Sequence, residues 1–265
     1  MVHFATLYSG SSGNSTVVWD DSAVLLIDMG ASCRKTIFAL GELGLPASSL
    51  SAILITHEHS DHIGGIQVYC KHYPVPIYGT KETINFLDSR CLTSDNQEFH
   101  QFTHGVPFSI GNFTVTPFCT SHDSATCSGF RIDNGLAHIG VATDLGKVDD
   151  EVLSNLMGCQ LVALESNYDE RMLRDGRYPA DLKARIAGPQ GHLSNGECAD
   201  TAVKLVNSGL KHLVLMHLSE ENNSPAKAVT RIFSTLEDYE LAEDCCEVKS
   251  APRYSISKIW RISEC

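Results

Sequence analysis

The first third of the chain alternates short apolar segments with turns, a pattern that predicts strands and a helix in close succession. Residues 2–8, 15–19 and 23–28 are rich in Val, Leu and Ile and predict three short strands. The Ser- and Gly-rich residues 9–14 predict the turn between the first two strands. Residues 33–44 predict a helix that stops where Gly and Pro follow.

A continuous apolar run, Ala52-Ile53-Leu54-Ile55, comes next and is bounded by polar residues. Such a run is typical of a strand that is buried on both faces. Strands become more frequent after it, and the further segments predicted as strands are 98–103, 106–110, 113–118, 128–133, 136–142, 161–164 and 213–216.

Two later segments predict helices with recognisable first residues. In 195–207, Asn195 is the predicted N-cap and apolar residues recur at helical spacing. In 224–238, Ser224 is the predicted cap and Pro225 takes the first helical position. Two sheets flanked by helices fit this order, and we expect one domain over residues 1–265. The pattern alone leaves the strand order open.

Composition places the chain among ordinary globular proteins, because 43% of its 265 residues are hydrophobic and 20% are charged. A chain of this length buries roughly 70–75% of the surface that its unfolded form exposes, so it needs no disulfides. The first residues lack the basic and apolar regions of a secretory signal. No apolar run approaches the roughly 20 residues that span a bilayer. We expect a cytoplasmic protein without a membrane partner.

The ten cysteines are scattered and form no Cys-x-x-Cys pair, which favours free thiols in a reducing compartment. The net charge of −12 argues against a broad basic surface for DNA or RNA. It does not exclude a nuclease, since two bound dications would dominate the local charge at their site.

A cluster of metal-ligand residues follows the buried run, where residues 56–65 read Thr-His-Glu-His-Ser-Asp-His-Ile-Gly-Gly. His57 and His59 are two apart, so in an extended segment their side chains point the same way. Asp61 and His62 follow where the chain turns into a predicted helix, and they can face a second metal. Burying these side chains without a metal would be costly, so the segment predicts a metal centre.

The pattern His-x-His-x-Asp-His at the end of a buried strand resembles the signature of the metallo-β-lactamase superfamily. This resemblance implies an α/β fold, a four-layer αββα sandwich with the metals at one edge of the paired sheets. It also implies three later ligands. His122, after the strand 113–118, and Asp144, after the strand 136–142, match the first two, and the superfamily's aspartate bridges both metals.

Two residues compete for the last ligand, His192 before a predicted helix and His217 at the end of the last buried strand. The resemblance places a metal histidine at a strand end, which favours His217. His192 then matches a second histidine that contacts the scissile phosphate in nuclease branches, with helix capping as its alternative. Glu165 could orient His192, or it could cap a helix.

The resemblance therefore implies two divalent cations per chain, Zn²⁺ or Mn²⁺, with iron as a further option. One cation is expected on His57, His59, His122 and Asp144, and the other on Asp61, His62, Asp144 and His217. The predicted catalytic residues are Asp61, His192 and Glu165. A flavodiiron protein would carry a carboxylate at the position of His59, which argues against redox chemistry.

Longer stretches at residues 8–15, 164–169, 191–195 and 217–223 resemble one bacterial group of this superfamily, the YycJ/VicX (WalJ) proteins, which are related to ribonuclease Z and ribonuclease J. One departure is Tyr168, where many relatives carry a histidine. The resemblance implies a nucleic-acid exonuclease, acting on DNA rather than RNA, with a metal-bridging hydroxide as nucleophile. The alternative is a carboxylic ester, thioester or lactam hydrolase, and a non-enzymatic regulatory module is a third hypothesis. The oligomeric state stays open, with a homodimer as one option.

Two further segments allow two interpretations each. The turn at 9–15 could present backbone N–H groups to a phosphate or simply connect two strands. Five basic residues could follow a nucleic-acid backbone, but the acids among them favour a solvated helix face; they are Arg171, Arg174, Arg177, Lys183 and Arg185.

Overall fold

The computed structural model describes residues 1–90 and 97–263, and in it two seven-stranded sheets pack face to face. The strands of the first sheet are, in spatial order, Trp260–Ile262 (β14), Val2–Tyr8 (β1), Ser15–Trp19 (β2), Val24–Ile27 (β3), Ala52–Leu54 (β4), Ile77–Gly79 (β5) and Phe99–Gln101 (β6). The strands from β3 to β6 run parallel, and β14, β1, β2 and β3 pair antiparallel.

The second sheet repeats this mixed pattern with later parts of the chain. Its strands are, in spatial order, Glu247–Ser250 (β13), His212–Met216 (β12), Leu161–Glu165 (β11), His138–Ala142 (β10), Cys127–Asp133 (β9), Phe113–Thr120 (β8) and Phe108–Ile110 (β7). The strands from β10 to β13 run parallel, and those from β7 to β10 pair antiparallel.

Helices cover the outer face of each sheet. The first half of the chain contributes Cys33–Glu42 (α1), Ser60–Ile63 (α2), Ile66–His72 (α3) and Lys81–Ser89 (α4). The second half contributes Asp150–Leu156 (α5), Glu170–Asp175 (α6), Ala180–Ile186 (α7), Asn195–Asn207 (α8) and Pro225–Asp238 (α9). Two short 3-10 helices lie at Ala47–Ser49 and Glu243–Cys245.

Alternating side chains of the strands fill three layers of core. In β3, Leu25 and Ile27 pack into the cluster between the sheets, whereas Leu26 packs outward with the buried side of α1. In β11, Ala163 points between the sheets and Val162 packs toward α8 and α9. Both faces of each sheet are thus buried, which explains the continuous apolar runs. The predicted αββα sandwich is confirmed.

The predicted strands exist, with shifted bounds at several ends. The strand predicted at 98–103 spans Phe99–Gln101, and the one predicted at 106–110 spans Phe108–Ile110. The pattern missed β5, β13 and β14, because strands of three or four residues carry too little periodicity. It also missed the helices α3 to α5, since none exceeds nine residues, and it indicated α6 and α7 only as one helix face in the basic segment.

The predicted N-cap of α8 is wrong by one residue. Ser194 is the cap, since its side chain accepts a hydrogen bond from the Glu197 backbone N–H while the Glu197 side chain accepts one from the Ser194 N–H. This reciprocal capping box satisfies two donors, whereas Asn195 is already helical and uses its side chain elsewhere.

The described ranges also show the state of the cysteines and the length and polarity of the helices. Eight cysteines there are free thiols, and Cys91 and Cys265 lie outside the described residues. Each helix in residues 1–90 and 97–263 is too short or too polar to cross a lipid bilayer.

Candidate metal centre

The carboxyl ends of strands from both sheets meet at one edge of the sandwich. In the first sheet, His57 follows β4 within three residues. In the second sheet, β8, β10, β11 and β12 all point the same way, since β8 and β10 both run antiparallel to β9. Their ends therefore bring His122, Asp144, Glu165 and His217 to the same edge.

Three imidazoles form the first group of potential ligands. The rings of His57 and His59 lie 4.5 Å apart between centroids, and each lies 5.3 Å from the ring of His122. One nitrogen from each of these side chains falls within 4.8 Å of the others. Spacing of this kind allows three nitrogens to share one cation.

A second group lies beside the first and contains two carboxylates. His62 Nε2 is 3.2 Å from Asp144 Oδ2 and 3.6 Å from Asp61 Oδ2. His217 Nε2 lies 3.8 Å from the same Asp61 oxygen. The other Asp144 oxygen, Oδ1, is 3.8 Å from His122 Nε2, so this one carboxylate reaches both groups.

An unpartnered buried nitrogen indicates that a cation fits this arrangement. His57 Nε2 is buried and has no hydrogen-bond partner among the described residues, although buried polar atoms are normally satisfied. Burial, together with the neighbouring His62, holds the pKa of His57 well below its usual value. His57 therefore offers a neutral imidazole, the form that binds metals, so the centre has the donors of a divalent metal site.

Three of the buried imidazoles have their outward nitrogen on an acceptor of the protein. His62 Nδ1 lies 2.7 Å from Asp28 Oδ2, His122 Nδ1 lies 2.9 Å from the Gly191 carbonyl, and His217 Nδ1 lies 2.8 Å from Glu165 Oε1. These contacts hold the ring tautomers so that the Nε2 atoms face the centre.

Asp28 belongs to the site although the sequence interpretation missed it. It also accepts hydrogen bonds from the Thr56 backbone N–H and hydroxyl, at 2.9 and 2.8 Å. Burial would lower the pKa of His62, but Asp144 and Asp28 outweigh burial and raise it well above its usual value. A signal existed, since Asp28 directly follows β3, the parallel neighbour of β4.

The turn at 9–14 packs against the metal-ligand segment. The Asn14 backbone N–H donates to the Asp61 carbonyl at 2.7 Å, and Asn14 Nδ2 lies 3.2 Å from Asp61 Oδ2. Gly30 allows this approach, since a Cβ there would lie 1.6 Å from the Asp61 carbonyl oxygen. The turn therefore positions Asp61, a role that neither interpretation of the segment included.

His192 lies beside the second group and shares an acceptor with it. Its Nδ1 is 2.8 Å from Glu165 Oε1, the oxygen that also contacts His217. Burial would raise the pKa of Glu165, but the His192 imidazole outweighs it and lowers the pKa to about 2. Burial would lower the pKa of His192, but the Glu165 carboxylate outweighs burial and raises the pKa to about 9. Glu165 thus contacts both candidate histidines, and it caps no helix in the part of the chain that the structure describes.

Three residues of the centre adopt the left-handed backbone conformation that favours glycine. Their φ angles are 59° for Asp28, 57° for Asp144 and 55° for His217, and each lies one or two residues after the end of a strand. Such residues are uncommon outside glycine and cluster at functional sites. The conformation turns each side chain from the strand direction into the centre.

Two further features concern the basic segment and the turn at 9–14. Arg171 and Arg174 both pair with Asp175 on α6, which favours a solvated helix face for this part of the basic segment. Arg253, which the sequence interpretation also missed, donates to the Leu218 carbonyl directly after His217. Its guanidinium packs against Gly10, so it links the C-terminal segment to the turn at 9–14.

Comparison with known proteins gives matches over most of the chain. Residues 24–218 match a family described as the beta-lactamase superfamily domain. Exodeoxyribonuclease YycJ of Bacillus anthracis is 34% identical over 237 residues, which cover 89% of this chain and 90% of that protein. Exodeoxyribonuclease WalJ of Streptococcus pneumoniae is 34% identical over 222 residues, covering 83% of this chain and 82% of the relative.

Solved structures share the fold at lower identity. The metallo-beta-lactamase fold protein YhfI from Bacillus subtilis superposes with a TM-score of 0.73 at 21% identity, covering 98% of this chain and 99% of that one. The short form of human tRNase Z gives a TM-score of 0.67 at 18% identity, covering 98% and 100%.

Proposed function

Because this chain belongs to the metallo-β-lactamase superfamily, in the YycJ/WalJ group, we propose that it is an exodeoxyribonuclease that hydrolyses phosphodiester bonds at DNA ends. The observation that carries the proposal is similarity to exodeoxyribonucleases over nearly the whole length of both chains. The chain is a metal-dependent hydrolase by its family, and DNA is the substrate that this similarity favours. We also propose that residues 1–265 act as a single domain.

We assign the seven converging side chains to two cations. His57, His59, His122 and Asp144 hold one, and Asp61, His62, Asp144 and His217 hold the other. Two observations support the assignment, the unpartnered Nε2 of His57 and the reach of Asp144 into both groups. Zn²⁺ and Mn²⁺ suit imidazole and carboxylate donors, with iron as a further option.

When bound, the cations supply positive charge that lowers the pKa of coordinated water and offsets charge on the phosphoryl oxygens. The residues of the chain orient the phosphate and manage its protons. His192 lies at the cavity wall with Nδ1 held by Glu165, which leaves Nε2 to donate to a phosphate oxygen or to the leaving oxygen. Glu165 holds His192 and His217 in fixed relation, so it is a positioning residue.

The test uses the full chain loaded with Mn²⁺ or Zn²⁺. Labelled linear single- and double-stranded DNA should shorten from their ends, whereas circular single-stranded DNA of the same sequence should persist. The matching RNA should react more slowly. Bis(p-nitrophenyl) phosphate should also be cleaved, because its phosphodiester needs no nucleotide.

A matched control is Asp144→Asn, which should lose activity on every substrate because both metal groups include this carboxylate. Strong hydrolysis of thioesters without phosphodiester hydrolysis would instead favour the ester and thioester hydrolase. Cleavage of circular DNA would replace exonuclease by endonuclease activity.

A further inference from the structure

The cavity at the metal centre has two unlike walls. Its volume is about 290 Å³, and His59, Asp61 and His192 line one side. Tyr178, Leu182 and Ile186 line the other. The volume lies at the lower end of pockets for small molecules, about 300–1,000 Å³. A cavity of this size has space for about one monomer of a polymer such as a nucleic acid, and a double helix is too large to enter.

The apolar wall comes from one face of α7 and the residue shortly before it. Leu182 and Ile186 are four residues apart, so they share a helix face. None of the residues of α7 is fully buried, which means that this helix adds little to the core. Its apolar face is instead half-buried along the cavity. The face therefore serves the cavity rather than the packing of the sandwich.

Tyr178 offers an aromatic ring without a partner at this wall. Within residues 1–90 and 97–263, its side chain takes part in no hydrogen bond, ring contact or ion pair. The ring is half-buried and lines the same cavity as His192. An unoccupied aromatic face beside a phosphodiesterase centre is suited to stacking, which every nucleobase supports.

Contacts at three points fix α7 relative to the centre. Arg185 Nε donates to Asp123 Oδ2 at 2.7 Å, next to His122. The His192 backbone N–H donates to the Ile186 carbonyl at 2.9 Å. His122 Nδ1 lies 2.9 Å from the carbonyl of Gly191, at the end of the same loop. The apolar wall is thus held at a set distance from the histidines, as a preformed subsite requires.

We propose that this cavity is a subsite for the terminal nucleotide of a single DNA strand, with the phosphate at the metal centre and the base stacked on Tyr178. Leu182 and Ile186 contact the same nucleotide from α7. The inference rests on the proposed exonuclease function and adds the site that recognises the base. Since stacking is tolerant of base identity, the subsite accepts all four nucleotides. Only a separated strand end fits, so a duplex end must open first.

The first experiment measures binding and needs no catalysis. Isothermal titration calorimetry of the Mn²⁺-loaded full chain compares deoxyadenosine 5′-monophosphate with deoxyribose 5-phosphate, which has the same phosphate and sugar without the base. The nucleotide should bind about 5- to 150-fold more tightly, the range for one stacked base. Equal affinities would overturn the subsite. Failure to degrade DNA would overturn the exonuclease but would leave this binding comparison intact.

The second experiment assigns the effect to the ring. In Tyr178→Ala, the advantage of the nucleotide over deoxyribose 5-phosphate should disappear, and in Tyr178→Phe it should survive. Tyr239→Ala is the matched control, because Tyr239 is 61% exposed at the end of α9 and distant in sequence from the cavity wall. A nucleotide advantage that persists in Tyr178→Ala would contradict the proposal. So would its loss in Tyr178→Phe, which would indicate that the hydroxyl rather than the ring recognises the base.

Discussion

Individual residues at the metal centre have roles that depend on which of their atoms is engaged. His62, His122 and His217 each place Nδ1 on an acceptor of the protein. Their Nε2 atoms are then left for the centre, and the tautomer no longer varies. His192 also has Nδ1 on Glu165, but its side chain is 22% exposed, whereas that of His217 is 5% exposed. The same contact to Glu165 therefore supports two different proposed roles, phosphate binding by His192 and metal ligation by His217.

Substitution of His192 separates these roles. His192→Ala should keep its metal ions and lose about 10²- to 10⁴-fold in kcat, the usual contribution of a general acid or base. Metal content by mass spectrometry and kcat on linear DNA check this expectation. His212→Ala is the control. This half-exposed histidine is the first residue of β12 and pairs with Glu247 on β13. Loss of a metal ion from His192→Ala would exchange the proposed roles of His192 and His217.

Asp28 allows a test of the outward contacts. In Asp28→Asn the acceptor of His62 loses its charge, and metal affinity should fall about 10- to 100-fold, as for other residues that orient metal ligands. Competition with a chelator measures the dissociation constant. Asp20→Asn makes the same chemical change in a surface turn, where Asp20 bonds Ser22, and should leave the affinity as it is. An unchanged dissociation constant in Asp28→Asn would show that the Thr56 hydroxyl, whose Oγ1 lies 3.2 Å from His62 Nδ1, orients the ring without Asp28.

At the scale of the elements, helix ends and strand ends carry the site. The strands deliver side chains to one edge, and the N-cap of α8, Ser194, follows directly after His192 and Leu193. Its capping box fixes the first turn of the helix, and Asn195 in that turn bonds Ser166 and Asn223. A secure start of α8 therefore supports the loop that holds His192.

Removal of the α8 cap should destabilise the protein by a measurable amount. Ser194→Ala should lower the free energy of unfolding by about 0.5–2 kcal/mol, because the Glu197 N–H loses its acceptor. Urea denaturation at constant metal concentration measures the change. Ser234→Ala, at an exposed position of α9, is the control and should stay within about 0.5 kcal/mol of the parent. Equal midpoints for the two variants would contradict a role for the capping box.

At the scale of the whole molecule, the two halves of the chain depend on one another at the centre. The first sheet supplies His57 to His62, and the second supplies His122, Asp144 and His217. The last segment returns from β13 to pair as β14 with β1, and it carries Arg253 against the loop after His217. A bound cation pair would therefore connect elements that are far apart in sequence.

Metal removal should consequently lower thermal stability. A ligand that binds only the folded state at 100 times its Kd stabilises it by about 2.7 kcal/mol. At about 2–4 °C per kcal/mol for a chain of this size, Tm should fall by roughly 5–10 °C after treatment with chelator and recover with Mn²⁺ or Zn²⁺. Differential scanning calorimetry checks the shift. Asp144→Asn should lack most of the metal-dependent rise, and an identical Tm with and without metal in the parent would refute the cation pair.

The sequence by itself determined most of the elements and indicated the kind of site. The run His57 to His62 indicates a metal centre because imidazole and carboxylate groups at that spacing are costly to bury alone. The apolar runs of β4, β11 and β12 predict strands buried on both faces, since each layer of the sandwich is covered. Local patterns carry this information because ligand spacing and strand burial both depend on residues that are neighbours in the sequence.

Only the tertiary structure decided which distant residues complete the centre. Asp28, Asn14 and Arg253 sit in segments that look like ordinary turns, and their roles follow from which strands are adjacent. Likewise, Tyr178 lines the same cavity as His192 and His217 only because the chain brings α7 to the metal centre, where Arg185 pairs with Asp123. Contacts across more than 30 residues depend on strand order and chain crossings, and these are set by packing of the whole chain rather than by any local pattern.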